Sequence, residues 1–185
     1  TFGCTRYIYN HFLAKRIELY KQDKSSMSYN QCSKELTVLK QELTWLKEPD
    51  KDALQKSLKD LDVAYKNFFA RPEAGFPKFK SKHDRHKSYR TSYTNGNIKF
   101  LGKKIQLPKL GKVKTKDKRR QLEGRILNAT VSQEPNGEYY VSICCTDVPM
   151  VALEPVNHNA GIDLGLKEFA IASDGTKYAN PKYLA

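Results

Sequence analysis

The sequence lacks the long apolar segment that a membrane-spanning helix needs, since no run in its 185 residues approaches the roughly 20 apolar residues required. It also has no CxxC pair and no Cys/His spacing typical of a zinc site. Its four cysteines are Cys4, Cys32, Cys144 and Cys145. These absences argue against a membrane protein and against a disulfide-stapled secreted domain. We therefore expect reduced thiols, no membrane partner and a cytoplasmic location.

Acidic residues are scarce in one stretch of the chain, between Phe76 and Arg125. This stretch holds seventeen Lys and Arg against three acids, a net charge of +14, whereas the whole chain carries +13. Solvated protein surfaces usually mix charges of both signs. The segregation of charge therefore indicates a polyanionic partner such as RNA or DNA, and not a small-molecule substrate.

The first third of the sequence has the periodicity of amphipathic helices. Apolar residues recur at three- and four-residue spacing in three stripes, which predict three helices that pack on one another. Ser28 followed by Gln31 is a capping-box pattern at the start of the second helix, and Pro49-Asp50 marks its end and the start of the third. The stripes are Tyr9, Phe12, Leu13, Ile17 and Tyr20; Tyr29, Cys32, Leu36, Leu39, Leu43 and Leu46; and Leu54, Leu58, Leu61, Tyr65 and Phe68.

After Pro72 the pattern changes to short β-type runs separated by glycine and proline. The expected strands include Tyr89–Thr94, Asn97–Leu101 and Lys104–Leu107. Two further runs, 126–131 and 138–145, flank Pro135-Asn136-Gly137 and predict a hairpin. The sequence thus predicts an α+β fold, in which a helical bundle over about residues 6–70 is followed by a small antiparallel β-barrel or sheet.

The basic stretch is interleaved with aromatic residues, namely Phe76, Phe79, Tyr89, Tyr93 and Phe100. Lysine and arginine neutralise phosphates and aromatic rings stack on bases, a combination typical of grooves that follow an RNA or single-stranded backbone. The alternative for each aromatic residue is a core position on a strand. The candidate nucleic-acid-binding residues are Lys78, Lys80, Lys82, Arg90, Lys103, Lys104, Lys109 and Lys112.

Asp163 is unusual because it lies between Ile162 and Leu164 in an otherwise apolar run. An ionised carboxylate in such a run is costly unless it is paired or binds a metal ion. The segment 159–178, which contains Asp163, is expected to form three strands, with a turn at Asp174-Gly175. An Asp that only bonds its own turn beside Gly165 is the alternative reading.

Six strings extend these observations to most of the chain: YNHFLAKRI (9–17), LDVAYKNFF (61–69), GFPKFKSK (75–82), YRTSYTN (89–95), KIQLPKLGKVKTK (104–116) and GIDLGLKEFAIASDG (161–175). In these strings, their order and their spacing, the chain resembles TnpB (OrfB) proteins, the insertion-sequence nucleases related to type V CRISPR effectors. GFPKFK, LPKLG and GIDLGLKEFA are the most specific pieces.

The resemblance implies part of a transposon-encoded, RNA-guided DNA endonuclease that depends on Mg²⁺. Its partners would be a guide RNA from the transposon end and the target DNA. The implied domains are a helical recognition region (1–72), a basic linker with a wedge-like, oligonucleotide-binding-like β-barrel (73–150) and the start of a RuvC domain of the RNase H fold (158–185).

Two departures from the family pattern concern the ends of the chain. The family normally begins with a strand and a helix ahead of the TFGC stretch, and this chain begins at Thr1 rather than Met. RuvC sites use carboxylates from several strands to hold two Mg²⁺ ions about 4 Å apart, and the chain has the first of these, Asp163. The other carboxylates and a Cys-rich zinc segment are expected beyond Ala185. We therefore expect a fragment that does not cut by itself.

The resemblance also implies which residues read the short DNA motif beside the target: Tyr29, Ser33, Lys51, Gln55, Thr94 and Asn95. Tyr29 and Ser33, and likewise Lys51 and Gln55, are i, i+4 neighbours near the start of a helix. Glutamine can bond an adenine edge, lysine can donate to guanine, and tyrosine or threonine can pack on a thymine methyl group. The alternative is that Tyr29 is a core residue and that Lys51 only lies at a helix start.

Two functions from other classes compete with the nuclease fragment. A non-catalytic RNA- or DNA-binding module accounts for the charge and the aromatic residues, but it leaves Asp163 unexplained. An actin-like sugar kinase also begins with Asp-x-Gly on a strand. Its phosphate loop usually continues with Thr or Ser, whereas Leu166-Lys167 follows here.

Overall fold

The computed structural model describes residues 1–116, 122–149 and 159–181. These residues form an α+β structure with three α-helices and three antiparallel sheets of three strands each. The chain divides into two compact units, Thr1–Pro149 and Met150–Ala185. Helices and two of the sheets belong to the first unit, and the third sheet belongs to the second.

The three predicted helices are confirmed as α1 (Phe2–Asp23), α2 (Tyr29–Glu42) and α3 (Lys51–Ala70). The predicted end of the second helix at Pro49 is wrong, since α2 ends at Glu42 and a short 3-10 helix, Thr44–Lys47, follows. Ser28 and Gln31 form the expected capping box at the start of α2. The chain leaves α1 through Lys24, which adopts a left-handed conformation and donates its backbone N–H to the Tyr20 carbonyl. The helices bury one apolar core, made of Ile8, Tyr9, Phe12, Leu13, Cys32, Leu36, Leu39, Leu46, Leu54, Leu58 and Leu61.

Arg16 is a cation inside this bundle, with only 5% of its side chain exposed. Its Nη2 lies 3.5 Å from the Asp62 carboxylate on α3 and donates to the Cys32 sulfur on α2 at 3.6 Å. The guanidinium also lies over the Tyr65 ring, 5.1 Å from its centroid. Arg16 therefore joins all three helices, and its burial is compensated mainly by Asp62.

Removal of that partner should be costly. We expect Asp62→Ala to lower the free energy of unfolding by about 2 kcal/mol, because it leaves the Arg16 charge buried without a carboxylate. Asp60→Ala is the matched control. Asp60 pairs with Arg90 at the surface, where both side chains are nearly half exposed, and such pairs contribute about 0.5 kcal/mol. Chemical denaturation of both variants measures the difference, and equal losses would contradict this role of Arg16.

The first sheet consists of β1 (Lys87–Ser92), β5 (Arg125–Gln133) and β6 (Tyr139–Thr146), with β5 in the centre. The predicted hairpin is confirmed, since β5 and β6 pair antiparallel across Pro135-Asn136-Gly137. The second sheet consists of β2 (Lys99–Phe100), β3 (Lys104–Leu107) and β4 (Gly111–Lys114). The described strands do not close into a barrel.

Three aspartates of α3 and its N-cap fix β1 against the helical bundle. Thr91 donates to Asp50 at 2.5 Å, the Ser92 backbone N–H donates to Asp52 at 2.5 Å, and Arg90 bonds Asp60 at 3.0 Å. Behind these contacts lies a second apolar core, which combines Ala53 of α3 with residues of both sheets: Tyr89, Ile98, Ile105, Leu107, Ala129 and Val131. The helices and the first two sheets therefore pack together.

The third sheet consists of β7 (Ile162–Leu164), β8 (Glu168–Ala172) and β9 (Lys177–Ala179), with β7 at an edge. This arrangement confirms the predicted succession of strands and the turn at Asp174-Gly175. No helix among the described residues is long and apolar enough to cross a bilayer.

Candidate nucleic-acid interface

The second sheet gathers lysines on one of its two faces. Residues paired across antiparallel strands share a face, and the register pairs Lys104 with Lys114, Gln106 with Lys112, and Lys99 with Gln106. On the other face, the buried Ile105 and Leu107 enter the second core. We call the exposed set Lys99, Lys104, Lys112 and Lys114 the lysine face.

In the protein alone, the positive charges on the lysine face repel one another. Lys104 and Lys114 lie directly opposite each other on neighbouring strands, and like charges in this position destabilise a sheet. Residues 99–116 contain no acidic residue, and no ion pair to the four lysines is found within the described residues. This arrangement is favourable when a polyanion supplies the missing negative charge.

Two of the predicted phosphate-binding residues, Lys104 and Lys112, lie on this face. Lys103 and Lys109 are exposed and lie in the turns that join β2 to β3 and β3 to β4. The second turn reverses the chain through Lys109 at φ 63° and Gly111 at φ 69°, a backbone region that glycine adopts without strain. The tight turn brings β4 back beside β3.

Lys99 and Lys114 were not among the candidates named from the sequence. The alternation of lysine with other residues in 111–114 is a signal for Lys114, because Lys112 and Lys114 are two apart and such side chains share a face of a strand. The grouping of Lys99 and Lys114 with the other two lysines of the face depends, however, on the cross-strand register. Sequence periodicity within one strand does not determine that register.

The segment with Lys78, Lys80 and Lys82 runs along the surface beside α1. The Asn10 side chain accepts from the Lys80 backbone N–H at 2.8 Å and donates to the Lys80 carbonyl at 2.9 Å. The Lys80 ammonium lies over the Tyr9 ring, 4.4 Å from its centroid. Lys78 and Lys82 are exposed, so these two ammonium groups face solvent while Lys80 also contacts the protein.

The predicted base-stacking aromatics differ in accessibility. Tyr89 is 7% exposed and packs edge-on against Phe2 at 5.3 Å. Its stacking role is therefore wrong, and its core alternative is confirmed. Burial, followed by the nearby Asp50 charge, raises the pKa of Tyr89 to about 12. Phe76, Phe79 and Tyr93 are exposed, and Phe100 is half-buried.

Arg90, another predicted phosphate ligand, is exposed and paired with Asp60. It lies at the rim of a recess of about 170 Å³ between α1, α3 and β1. Further cations line the recess, among them Arg6, Lys56 and Lys87. These three are not among the candidate nucleic-acid-binding residues of the sequence analysis. Asp60 and Asp84 also line the recess, so its charge is mixed, unlike that of the lysine face.

The structure brings three of the predicted motif-reading residues into direct contact. The Tyr29 hydroxyl donates to Gln55 Oε1 at 2.9 Å, and the Ser33 hydroxyl donates to the same oxygen at 3.1 Å. Burial, with a smaller contribution from Asp52, raises the pKa of Tyr29 and keeps its hydroxyl protonated. Lys51 and Gln55 line the same recess, which has a volume of about 260 Å³. The core alternative for Tyr29 holds in part, since the ring also packs against the helical core.

The remaining two predicted readers, Thr94 and Asn95, lie in the turn after β1. The Thr94 backbone N–H donates to the Asn97 side chain at 2.7 Å, and Asn95 has φ 49°. The Asp52 carboxylate accepts from the backbone N–H of Ser92, just ahead of this turn. This bond ties the strand that leads into the turn to the first turn of α3, the helix that carries Lys51 and Gln55.

Asp163 is on β7, where it pairs with Ile171 of β8. The expectation of a buried carboxylate in an apolar environment is wrong for this structure: Asp163 is exposed, and its neighbours Ile162 and Leu164 are 67% and 70% exposed. The physical reason is that β7 is an edge strand of a three-stranded sheet. Within the described part of the chain, no three His, Cys, Asp or Glu side chains form a group that could hold a metal ion. Within the described residues, Asp163 is thus a single exposed carboxylate and not part of such a group.

Comparison with known proteins gives matches along most of the chain. Residues 1–25 match the family model HTH_OrfB_IS605, described as a helix-turn-helix domain; in the structure they cover α1 and the start of the turn toward α2. The chain is 35% identical over 179 residues to "Putative RNA-guided DNA endonuclease InsQ" of Escherichia coli K12, covering 95% of the chain and 43% of that protein.

Two further relatives extend the comparison. The chain is 32% identical over 188 residues to a "Putative RNA-guided DNA endonuclease" of Streptomyces pristinaespiralis, covering 99% of the chain and 46% of that protein. It is 33% identical over 92 residues to "Virulence protein VsdF" of Salmonella dublin, covering 44% of the chain and 77% of that protein. The chain thus spans less than half the length of the two endonuclease-named relatives.

Proposed function

The chain belongs to the TnpB-like (OrfB) family, and on that premise we propose that it is the nucleic-acid-binding part of an RNA-guided DNA endonuclease. In this proposal it binds a guide RNA from the transposon end together with the target DNA. The lysine face is the observation that carries the proposal. Four lysines on one face of a sheet, with no ion pair to an acid among the described residues, fit a phosphate backbone.

Binding of the 185-residue chain to single-stranded RNA and to DNA, measured over a series of salt concentrations, tests this proposal. Each phosphate that is neutralised releases counterions, so four lysine contacts correspond to a slope of about −3 in a plot of log K against log salt. Weak binding whose affinity does not change with salt would contradict the proposed phosphate contacts.

We further propose that the cluster of Tyr29, Ser33 and Gln55, with Lys51, Thr94 and Asn95, reads the DNA motif beside the target. Gln55 Oε1 already accepts two hydroxyl hydrogen bonds, which fixes the amide plane. Preorganised polar groups discriminate between bases more strongly than mobile ones, because less conformational entropy is lost on binding.

The test of this reading uses InsQ in which the matching segment is replaced by the present chain. In that chimera we expect Gln55→Ala to relax the preference for one base of the motif by about 1 kcal/mol, the typical net contribution of a single hydrogen bond. Tyr29 and Ser33 occupy the acceptor sites of Gln55 Oε1, so the Nε2 amide group is left to donate to a base. Gln41→Ala is the matched control, since Gln41 is an exposed glutamine on α2 and does not belong to the cluster. An unchanged motif preference in the Gln55 variant would contradict the assignment.

For the complete protein we propose Mg²⁺-dependent cleavage by a RuvC site of the RNase H fold, with the second-sheet region as part of a wedge-like barrel. The ions would stabilise the attacking and leaving oxygens of the displacement. This chain would contribute the Asp163 carboxylate as one ligand. Its exposure on an edge strand leaves that carboxylate accessible to ligand groups from other parts of a longer protein.

A further inference from the structure

Three phenylalanine rings near the C-terminal end of α3 are exposed although rings of this size are usually buried. Phe69 is 78% exposed, Phe76 46% and Phe79 57%. Phe69 lies in the last turn of α3, and the other two lie in the segment that leads away from it. Phe69 and Phe76 share the ring neighbours Tyr65 and Phe68, and Phe79 follows Phe76 by three residues. Exposed apolar groups that lie close together mark binding sites.

Packing holds two of these rings in fixed positions. The Phe76 ring meets Tyr65 edge-to-face at 5.6 Å and Phe68 edge-to-face at 5.3 Å. The Phe69 ring lies 5.1 Å from Phe68 and 6.5 Å from Tyr65. These contacts order the rings before any ligand arrives, which lowers the entropy that binding would otherwise lose.

The segment between Phe76 and Lys80 is anchored at both ends. Phe76 is held by the rings of α3, Pro77 is buried, and the Lys80 backbone makes two hydrogen bonds to Asn10. Between the anchors, Lys78 and Phe79 are both exposed. The anchored backbone therefore presents an ammonium group and an aromatic ring to solvent on two consecutive residues.

The charge around these rings distinguishes between two classes of partner. Residues 74–83 contain three lysines and no acid, and lysine is depleted from the cores of protein–protein interfaces. Aromatic faces beside phosphate-binding cations are instead the composition of sites for single-stranded nucleic acid, where successive bases stack on rings. Bases in a duplex already stack on each other and do not offer their faces.

We propose that Phe69, Phe76 and Phe79 form a stacking platform for unpaired nucleobases, with Lys78 neutralising a neighbouring phosphate. The platform thus selects single-stranded over double-helical nucleic acid. This inference rests on the proposed function, since it assumes that the chain binds nucleic acid, and it adds a second site at a different place from the lysine face.

Replacement of Phe79 separates stacking from simple apolar contact. Phe79→Leu keeps an apolar side chain and removes the ring, and we expect it to weaken binding of an unstructured single strand by about tenfold, the typical value of one base–aromatic stack. Phe79→Trp restores or strengthens binding. Neither change alters the affinity for a blunt-ended RNA duplex, whose bases are all paired, or the salt slope, because no phosphate contact is removed.

Tyr20→Leu is the matched control. Tyr20 is also 57% exposed, and the Lys24 ammonium lies 4.9 Å from its ring centroid, so it has the same pairing of ring and cation on another surface. We expect no change in single-strand binding for this variant. If Phe79→Leu and Tyr20→Leu weaken single-strand binding equally, the loss of affinity does not depend on where the ring lies on the surface, and the platform is overturned.

Fluorescence gives a second readout. Trp45 is the one tryptophan of the sequence, so Phe79→Trp in a Trp45→Phe background places a single indole on the platform. We expect a single strand to quench this indole and a blunt-ended duplex to leave it unchanged. If the unmodified chain binds in a salt-dependent way, but Phe79→Leu has no effect on the affinity and the indole is not quenched, the platform is overturned and the proposed function stands. The exposed rings would then be assigned to a contact with a protein. Failure of the unmodified chain to bind either nucleic acid would overturn both.

Discussion

Asp163→Ala should abolish guided DNA cleavage by InsQ carrying this chain in place of its matching segment, while RNA binding stays unchanged. Loss of an outer-shell partner of a metal ligand typically lowers activity about 10- to 100-fold, and loss of the ligand itself should exceed that. The reason is that in-line displacement requires carboxylates that hold the metal ions. RNA binding should persist because the lysine face belongs to the other compact unit of the chain.

Asp174→Ala is the matched control for this experiment. Asp174 is an exposed aspartate of the same sheet region, and its carboxylate accepts from the Thr176 backbone N–H at 2.8 Å. This bond, with that from the Thr176 side chain, holds the pKa of Asp174 below its usual value. The control removes one negative charge and disturbs the turn without touching Asp163. Appreciable cutting by the Asp163 variant would mean that another carboxylate is the catalytic one.

Replacement of all four lysines of the lysine face by glutamine should lower the salt slope of RNA binding by about three units. Over a fourfold change in salt concentration, the affinity of the unmodified chain would then fall about sixtyfold more than that of the variant. The variant should remain folded, since it removes the repulsion between Lys104 and Lys114 and leaves Ile105 and Leu107 in the core.

A variant with the same loss of charge elsewhere controls for net charge. Glutamine at Lys21, Lys34, Lys47 and Lys177, all exposed residues outside the second sheet, also removes four positive charges. If binding depends only on the total charge of +13, both variants should change the slope equally. A larger change in the lysine-face variant places the phosphate path on the second sheet.

Local patterns in the sequence were sufficient to predict the three helices and one hairpin. The apolar stripes that include Phe12, Leu36 and Leu58 predict α1, α2 and α3, because helical periodicity is a property of neighbouring residues. The turn at Asn136-Gly137 likewise predicts the β5–β6 hairpin. Closure of the β region into a barrel depends on contacts far apart in sequence, and that part stays a prediction.

The sites show where local patterns are insufficient. Asp163 was expected to be buried because Ile162 and Leu164 are apolar, but burial depends on what packs against a strand, and β7 lies at an edge. Tyr89 resembled a stacking residue because lysines surround it in sequence, yet Phe2 and Ala53 cover it in three dimensions. The hydrogen bonds of Gln55 similarly join two helices whose relative placement no single stripe specifies.

Chemical acetylation of lysines, with and without bound RNA, is the most direct test of the central claim that the second sheet contacts the nucleic acid. Each lysine reports its own accessibility, and all four residues of the lysine face are exposed in the free protein. We predict that single-stranded RNA protects Lys99, Lys104, Lys112 and Lys114, and that Lys21, Lys34 and Lys47 on the helical side react as they do without RNA. Equal protection of both groups, or protection of the helical lysines alone, would contradict the account.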